Sequence, residues 1–443
     1  MYMRSILFSS LIALSVFAAA RLAQAGSTAS HLGALPTPAA LLCAPNDRLV
    51  WVFGTTAYVQ NDVRFASTPT GHFGCRSQLT AQIAVSPLDP ATPAPTFPPE
   101  IISVTSAGGG VGVPASRKCD CAAVTIYYVT DRNATGDGPR GPDYGGDRKP
   151  DGSLTYGSST VTIPRDHRMG QLERPEWFLL EFNEDPNKHV VIRATKEVPR
   201  QRFFDRVSGD ASDTNGEALV FVHGYNVGFD ESVMRTAQLK YDLGFSGPAI
   251  TYSWPAAGKT IMYPHDENDA IWTTAHFEAF FAQLAATTGI TKIHLIAHSM
   301  GNRVVTDALA DEGLRGHHYP NLADVIFAAA DVDQGVFVSQ YARFRGIGQT
   351  KVLYASASDK ALQLSEGLHG GRRAGDANPI LLLSGLQSID ATAVDTSFDG
   401  HGYFASNATI VSDIFWVMHG KAPPRFRLRD VESGTQEFWR FAP

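Results

Sequence analysis

The stretch IHLIAHSMGNRV, Ile293 to Val304, runs from a mostly apolar segment through a serine into residues with helical spacing. An apolar run bounded by a turn reads as a buried strand, and Val304, Val305 and Ala308 mark one face of the helix after it. Ala297 and Gly301 lie two positions either side of Ser299, and small residues there let the backbone bend sharply from strand to helix. The spacing is that of a nucleophile elbow, G-x-S-x-G, with alanine in place of the first glycine. A serine that merely caps the helix starting at Gly301 would look similar. Its surroundings in the sequence decide between the two.

Upstream, VFVHGYN, Val220 to Asn226, ends another apolar strand in His-Gly. In a strand–turn–helix hydrolase site such a loop donates a backbone N–H to the oxyanion, and the second donor follows the nucleophile. These roles fall on Tyr225 and Met300, with His223 expected as a structural residue that bonds the loop. Downstream, a serine needs a base and the base needs a carboxylate. His401 in DTSFDGHGYF follows the last expected strand and is ranked above His317, His318, His369 and His419. Asp359 in YASASDKAL is the expected acid, with Asp331 and Asp333 in AAADVD as the alternative location. The segment from Gly258 to His276 carries Tyr263 and Trp272, expected to line the substrate site. Its apolar residues serve equally well to pack the next helix.

Around these residues EALVFVHG, PAITYSWP, KIHLIAHS, ADVIFAAAD, KVLYASAS and LQSIDATAV read as strands, and helical patterns separate several of them. Continuous apolar strands alternating with amphipathic helices imply a mostly parallel sheet covered on both faces, with ligands at the carboxyl ends of the strands. Earlier in the chain AAVTIYYVT, SSTVTI, WFLLEF and KHVVIRAT read as strands with shorter, antiparallel-type connections. The intervening TGDGPRGPDYGGDRKPDG spaces Asp143, Asp147 and Asp151 by fours. It reads as a solvated loop in preference to a calcium loop, because Gly, Pro and Asp are what a turn requires.

Taken together, FVHGYNVGFDES, YSWPAAG, IHLIAHSMGNR, AAADVD, YASASDKAL, LHGGRRAGD and AVDTSFDGHGYF resemble the α/β-hydrolase superfamily. The likeness is to its branch of exported or membrane-associated bacterial hydrolases of unknown function, over roughly Tyr127 to Met418. The resemblance implies an eight-stranded sheet with an antiparallel second strand. It also implies a serine–acid–histidine triad, carried here by Ser299, Asp359 and His401, with Tyr225 and Met300 as oxyanion donors. The expected activity is that of a serine carboxylesterase or lipase-like enzyme on a small-molecule or lipid ester, needing neither metal nor organic cofactor. An acyltransferase or amidase using the same nucleophile, or a non-catalytic envelope binding protein on this scaffold, are the other readings.

The chain has 443 residues, 44% apolar and 18% charged, enough to bury a large core. Its 37 basic and 44 acidic residues give a formal charge of −7 without a dense Lys/Arg block, which argues against nucleic acid as a partner. Residues 1–25 read as a secretory signal with Arg4 before an apolar centre and Ala23-Gln24-Ala25 at the cleavage point, so a periplasmic or secreted location is expected, with no stable membrane span after cleavage. A small β-rich segment, 26–85, and a Pro/Gly-rich linker, 86–116, then precede the hydrolase domain, 117–425, and a tail, 426–443. In an exported chain Cys43, Cys75, Cys119 and Cys121 are disulfide candidates. The close spacing of Cys119 and Cys121 favours outward pairing of each, for example with Cys43 and Cys75.

Overall fold

The computed structural model describes residues 49–53, 56–59, 71–75, 84–86, 119–175, 183–258, 262–394, 403–423, 428–433 and 436–441. The expected signal, most of the linker, Cys43, WFLLEF and His401 lie outside them. In the N-terminal portion β1 (Leu49–Phe53) pairs antiparallel with β2 (Thr56–Val59) and β3 (Gly71–Cys75), and β4 (Ala84–Ser86) adds to β2 in parallel. They form a four-stranded sheet of their own.

The main sheet begins with β5 (Cys121–Thr130). The hairpin β6 (Arg132–Gly138) and β7 (Gly141–Arg148) stands apart from it, and β8 (Thr155–Pro164) and β9 (Val191–Glu197) then add to β5 in antiparallel succession. The hairpin replaces the expected plain loop. Its glycines hide the alternation of a strand, although Arg132 and Tyr144 are buried. Asp151 closes the turn beyond it by accepting from the backbone N–H and hydroxyl of Ser153. Cys119 and Cys121 face each other with Cα atoms 5.2 Å apart, an arrangement different from the outward pairing expected of them.

From there strands and helices alternate: α1 (Arg200–Ser212), β10 (Glu217–Val222), α2 (Phe229–Asp242), β11 (Ala249–Ser253), α3 (Tyr263–Ala285), β12 (Lys292–His298), α4 (Gly301–Leu314), β13 (Leu322–Ala328), α5 (Gln334–Phe344), β14 (Thr350–Ala355), α6 (Lys360–His369) and β15 (Gln387–Asp390). The short α7 (Tyr403–Ser406), α8 (Ala408–Met418), β16 (Leu428–Ser433) and β17 (Gln436–Phe441) follow. The sheet has eleven strands in the order β16-β17-β15-β14-β13-β12-β10-β11-β5-β8-β9, where the resemblance implied eight. The strands β5, β11, β10, β12, β13, β14, β15 and β17 all run parallel, and β8 and β16 run against them. Residues 428–441, expected as a tail, extend the sheet beyond β15, and the buried Phe438 and Phe441 explain why.

Alternate residues of the central strands serve different cores, which is why these strands are apolar throughout. In β10, Ala218, Val220 and Val222 pack with the apolar faces of α1, α3, α4 and α5. Leu219 and Phe221 face the other way, toward Phe229, Val233 and Ala237 of α2 and Ile410, Val411 and Ile414 of α8.

The loop between β8 and β9 is tied to α2 through His167. Its Nδ1 and Nε2 each lie 2.8 Å from a carboxylate, of Glu173 and Asp242 respectively, and Asp242 also accepts from the Gly170 N–H. Burial works against the charged ring, but the two carboxylates outweigh it and raise the pKa to about 9. Because this pKa lies above the unfolded value, the stabilisation is complete below about pH 6.5 and is lost as pH rises through 9. His167→Gln should therefore remove up to roughly 3 kcal/mol of stability at pH 6 and much less at pH 10, as read from urea unfolding at the two pH values.

Candidate active site

The parallel strands deliver their carboxyl ends to one edge of the sheet, and β12 ends there in Ser299. Its φ is +52°, in the left-handed region that only a constrained turn imposes on a residue with a Cβ, and its side chain is buried. Backbone bonds hold the turn. Ser299 N–H donates to Ala328 O, and its carbonyl accepts from the N–H groups of Asn302 and Asp331 and from Asn302 Nδ2. A second bond from Asn302 Nδ2 reaches Ala328 O, so this asparagine ties the turn to β13. Gly301 must be glycine because a Cβ would run into the carbonyl oxygens of His223 and Val222, the latter at 2.7 Å. Ala297 is completely buried, and its methyl is accommodated in the core under the sheet.

The turn after β10 packs directly on this serine. A Cβ on Gly224 would sit 2.7 Å from Ser299 Cβ, so only glycine brings the two loops so close. Met300, fully buried, precedes the first residue of α4, where unpaired amides and the helix dipole favour negative charge. Tyr225, half-buried, lies with its ring 5.1 Å from that of Tyr263. His223 is buried and stacks on Trp254 with ring centres 5.0 Å apart. Its Nδ1 is 2.7 Å from Gly224 O, and its own carbonyl accepts from Trp254 Nε1. Burial, reinforced by the Arg132 charge, lowers its pKa to about 3, so the ring is held neutral.

Three positioning groups escaped the sequence reading. Arg132, at the start of β6 and buried, donates to Ser253 Oγ, to the carbonyls of Gly145, Ala256 and Val227, and toward His223 Nε2 at 3.3 Å. Asp266 accepts from the N–H groups of Asn226 and Ala257. Asn302 is the third. An Asp-Arg pair directly after a buried strand, as in VTDRN, was the available signal for Arg132.

The two acid locations differ in what already occupies them. Asp331 accepts from Tyr263 OH at 2.5 Å and Ser365 Oγ at 2.7 Å, with Arg373 Nε 3.5 Å away, so both of its oxygens are engaged. Asp333 caps α5 through Val336 N–H. Asp359 follows β14, is buried, and caps α6 through Oδ1 to Leu362 N–H. The rival histidines have other duties: His317 meets Glu312, His369 meets Ser365 O and Glu267, and His419 meets Phe415 O. His401 lies outside the described residues.

Of the two residues expected to line the substrate site, Tyr263 stands beside Tyr225 and Asp331, and burial keeps its phenol protonated. Trp272 is nine residues further along α3, about 13 Å, and packs on His276 and Arg148 instead. A cavity of about 550 Å³ opens at the opposite edge of the sheet, where Glu217, Lys292 and Thr350 begin their strands and Asp324 lies near the start of β13. It is remote from the strand ends that carry Ser299, so the cavity and the chemistry do not coincide.

Residues 201–417 match a family model described as an alpha/beta hydrolase of unknown function (DUF900). This part of the chain has the α/β-hydrolase fold. No curated protein matches the chain. Among solved structures, a Pyrobaculum calidifontis esterase in a monoclinic form is similar at 11% identity and a TM-score of 0.28, covering 67% of this chain and 85% of that one. A hyperthermophilic esterase from the archaeon Pyrobaculum calidifontis is similar at 12% identity and a TM-score of 0.22, covering 61% and 63%. The hydrolase domain thus has its strand ends, its strained serine and the glycine loop at one edge of one sheet.

Proposed function

We propose that this hydrolase is an exported serine esterase acting through an acyl-enzyme, with Ser299 as nucleophile, His401 as base and Asp359 as the acid that orients it. The observation that carries the reading is the backbone of Ser299, held at φ +52° between a strand and a helix with Gly224 pressed against its Cβ. A serine that only capped a helix would have no need of strain, and the N-cap position of α4 falls on Met300.

In the first half of the reaction His401 takes the hydroxyl proton as Ser299 attacks the ester carbonyl, and then passes it to the leaving alcohol. The N–H groups of Met300 and Tyr225 receive the negative oxygen, each worth about 10²–10³ in rate. Water repeats the sequence on the acyl-enzyme. The chain supports His401 as base because β15 runs parallel to β14 and leaves the sheet at the edge where β12 and β14 end. Asp359 is favoured because it lies just past β14, the strand two along from β12, where a carboxylate can reach a histidine on the next loop. Tyr263 fits a wall of the substrate site better than Trp272 does.

A fluorophosphonate applied to the mature protein tests the nucleophile: labelling that persists in Ser299→Ala, or is missing from the wild type, removes the enzyme reading and leaves the binding-protein one. Turnover of an amide, or acyl transfer to an alcohol in preference to water, would keep Ser299 and change the class. Export is checked by sequencing the N-terminus of the protein recovered from its native cells. It should read from Gly26, and a chain still starting at Met1 would refute it.

A further inference from the structure

Resting on that esterase reading, we propose that Arg132, acting through His223, is the device that aims the Tyr225 N–H at the oxyanion. Arg132 NH2 can only donate, so the nitrogen it faces, His223 Nε2, must be the acceptor. The proton of the neutral ring then sits on Nδ1 and is donated to Gly224 O, 2.7 Å away. Gly224 O and the Tyr225 N–H belong to one planar trans peptide and point in opposite directions. Drawing the carbonyl onto the imidazole therefore turns the N–H to the other side of that peptide. Gly224 packs against Ser299 Cβ, so this orientation belongs to the contact face with the nucleophile. On the far side of the donor, Asp266 holds the Asn226 N–H at 3.0 Å, and Arg132 holds Val227 O at 2.7 Å. The donor is thus clamped before and after.

The alternative tautomer would turn this around. With the proton on Nε2, the ring would face Arg132 with a second donor, and a bare Nδ1 would oppose Gly224 O. Both contacts become repulsive, and the peptide is then free to rotate its carbonyl toward the nucleophile. His223 and Arg132 are accordingly positioning residues, neither touching the substrate.

The test uses the mature full chain. The amide N–H of an asparagine at 223 falls near the place of Nδ1, whereas that of a glutamine falls near Nε2. His223→Asn should keep kcat for a p-nitrophenyl ester within about 10-fold, while His223→Gln should lose about 10²-fold or more in kcat with KM little changed, the size of one oxyanion donor. Affinity for an arylboronic acid, whose adduct places an oxygen in the same hole, should fall in parallel. In the wild type, ¹⁵N–¹H correlation spectra of the His223 ring should show the proton on Nδ1, and Arg132→Lys should shift the proton toward Nε2 or spread it over both nitrogens. Equal kcat in the Asn and Gln variants, or a wild-type ring protonated on Nε2, overturns the proposal. If the wild type shows no turnover that Ser299→Ala removes, the esterase reading fails first, and the ring tautomer still tests the clamp.

Discussion

Ser299→Ala is expected to lower ester turnover by about 10⁴-fold or more while leaving the fold unchanged. The separation is possible because the turn is held by the backbone of Ser299 and not by its hydroxyl. Its N–H goes to Ala328 O, and its carbonyl accepts from the Asn302 and Asp331 amides and the Asn302 side chain. All of these survive the substitution. Alanine also tolerates the conformation, since Ala329 in the same chain holds a φ of +47°. Steady-state kinetics on a p-nitrophenyl ester together with a thermal melt check both halves. An active, folded alanine variant would show that the strained serine is not the nucleophile.

The second large effect separates the acids. Asp359→Asn should reduce kcat by about 10⁴-fold, because an amide no longer holds the imidazole in the tautomer that accepts the serine proton. Asparagine is as good an N-cap as aspartate, so the bond to Leu362 N–H and the start of α6 are kept and stability hardly moves. Asp333→Asn keeps the cap of α5 in the same way and should leave kcat within about threefold. The pair is matched in helix capping and differs in chemistry alone. Collapse in Asp333→Asn with an active Asp359→Asn would move the acid to the end of β13. Asp331→Asn is a poorer probe, because an amide N–H would face the donors Tyr263 OH or Ser365 Oγ and disturb the fold itself.

Both predictions grow from features that are local in sequence. The run KIHLIAHS is readable as a buried strand because both of its faces are covered, so between Ile293 and Ala297 its one polar residue is the buried His294. The elbow is readable because its steric demand, small residues at fixed offsets around Ser299, is met within five consecutive residues. His223 was read as a structural residue in preference to a base from chain order, because it precedes Ser299, and the structure adds its bond to Gly224 O.

Other elements were harder to read. The β6–β7 hairpin, α1 and the α5, α6 and α8 helices were not singled out. The hairpin strands carry glycine where a strand normally alternates, and β16 and β17 follow what looked like the natural end of the domain. In the sheet, seven strands run from β15 across to β5, and two more on each side, β17 and β16 beyond β15 and β8 and β9 beyond β5, bring the total to eleven.

Periodicity and sterics act over a few neighbouring residues, so the alternation of buried strands with helices and the strained turn at Ser299 are written in the local sequence. The groups that hold the turn opposite come together through long-range contacts. Arg132 reaches partners 13, 91, 95, 121 and 124 residues away, and Asp266 reaches one 40 residues back. A buried guanidinium or carboxylate has no local pattern, since what justifies its burial is a set of carbonyls and amides that come together only when the sheet has closed.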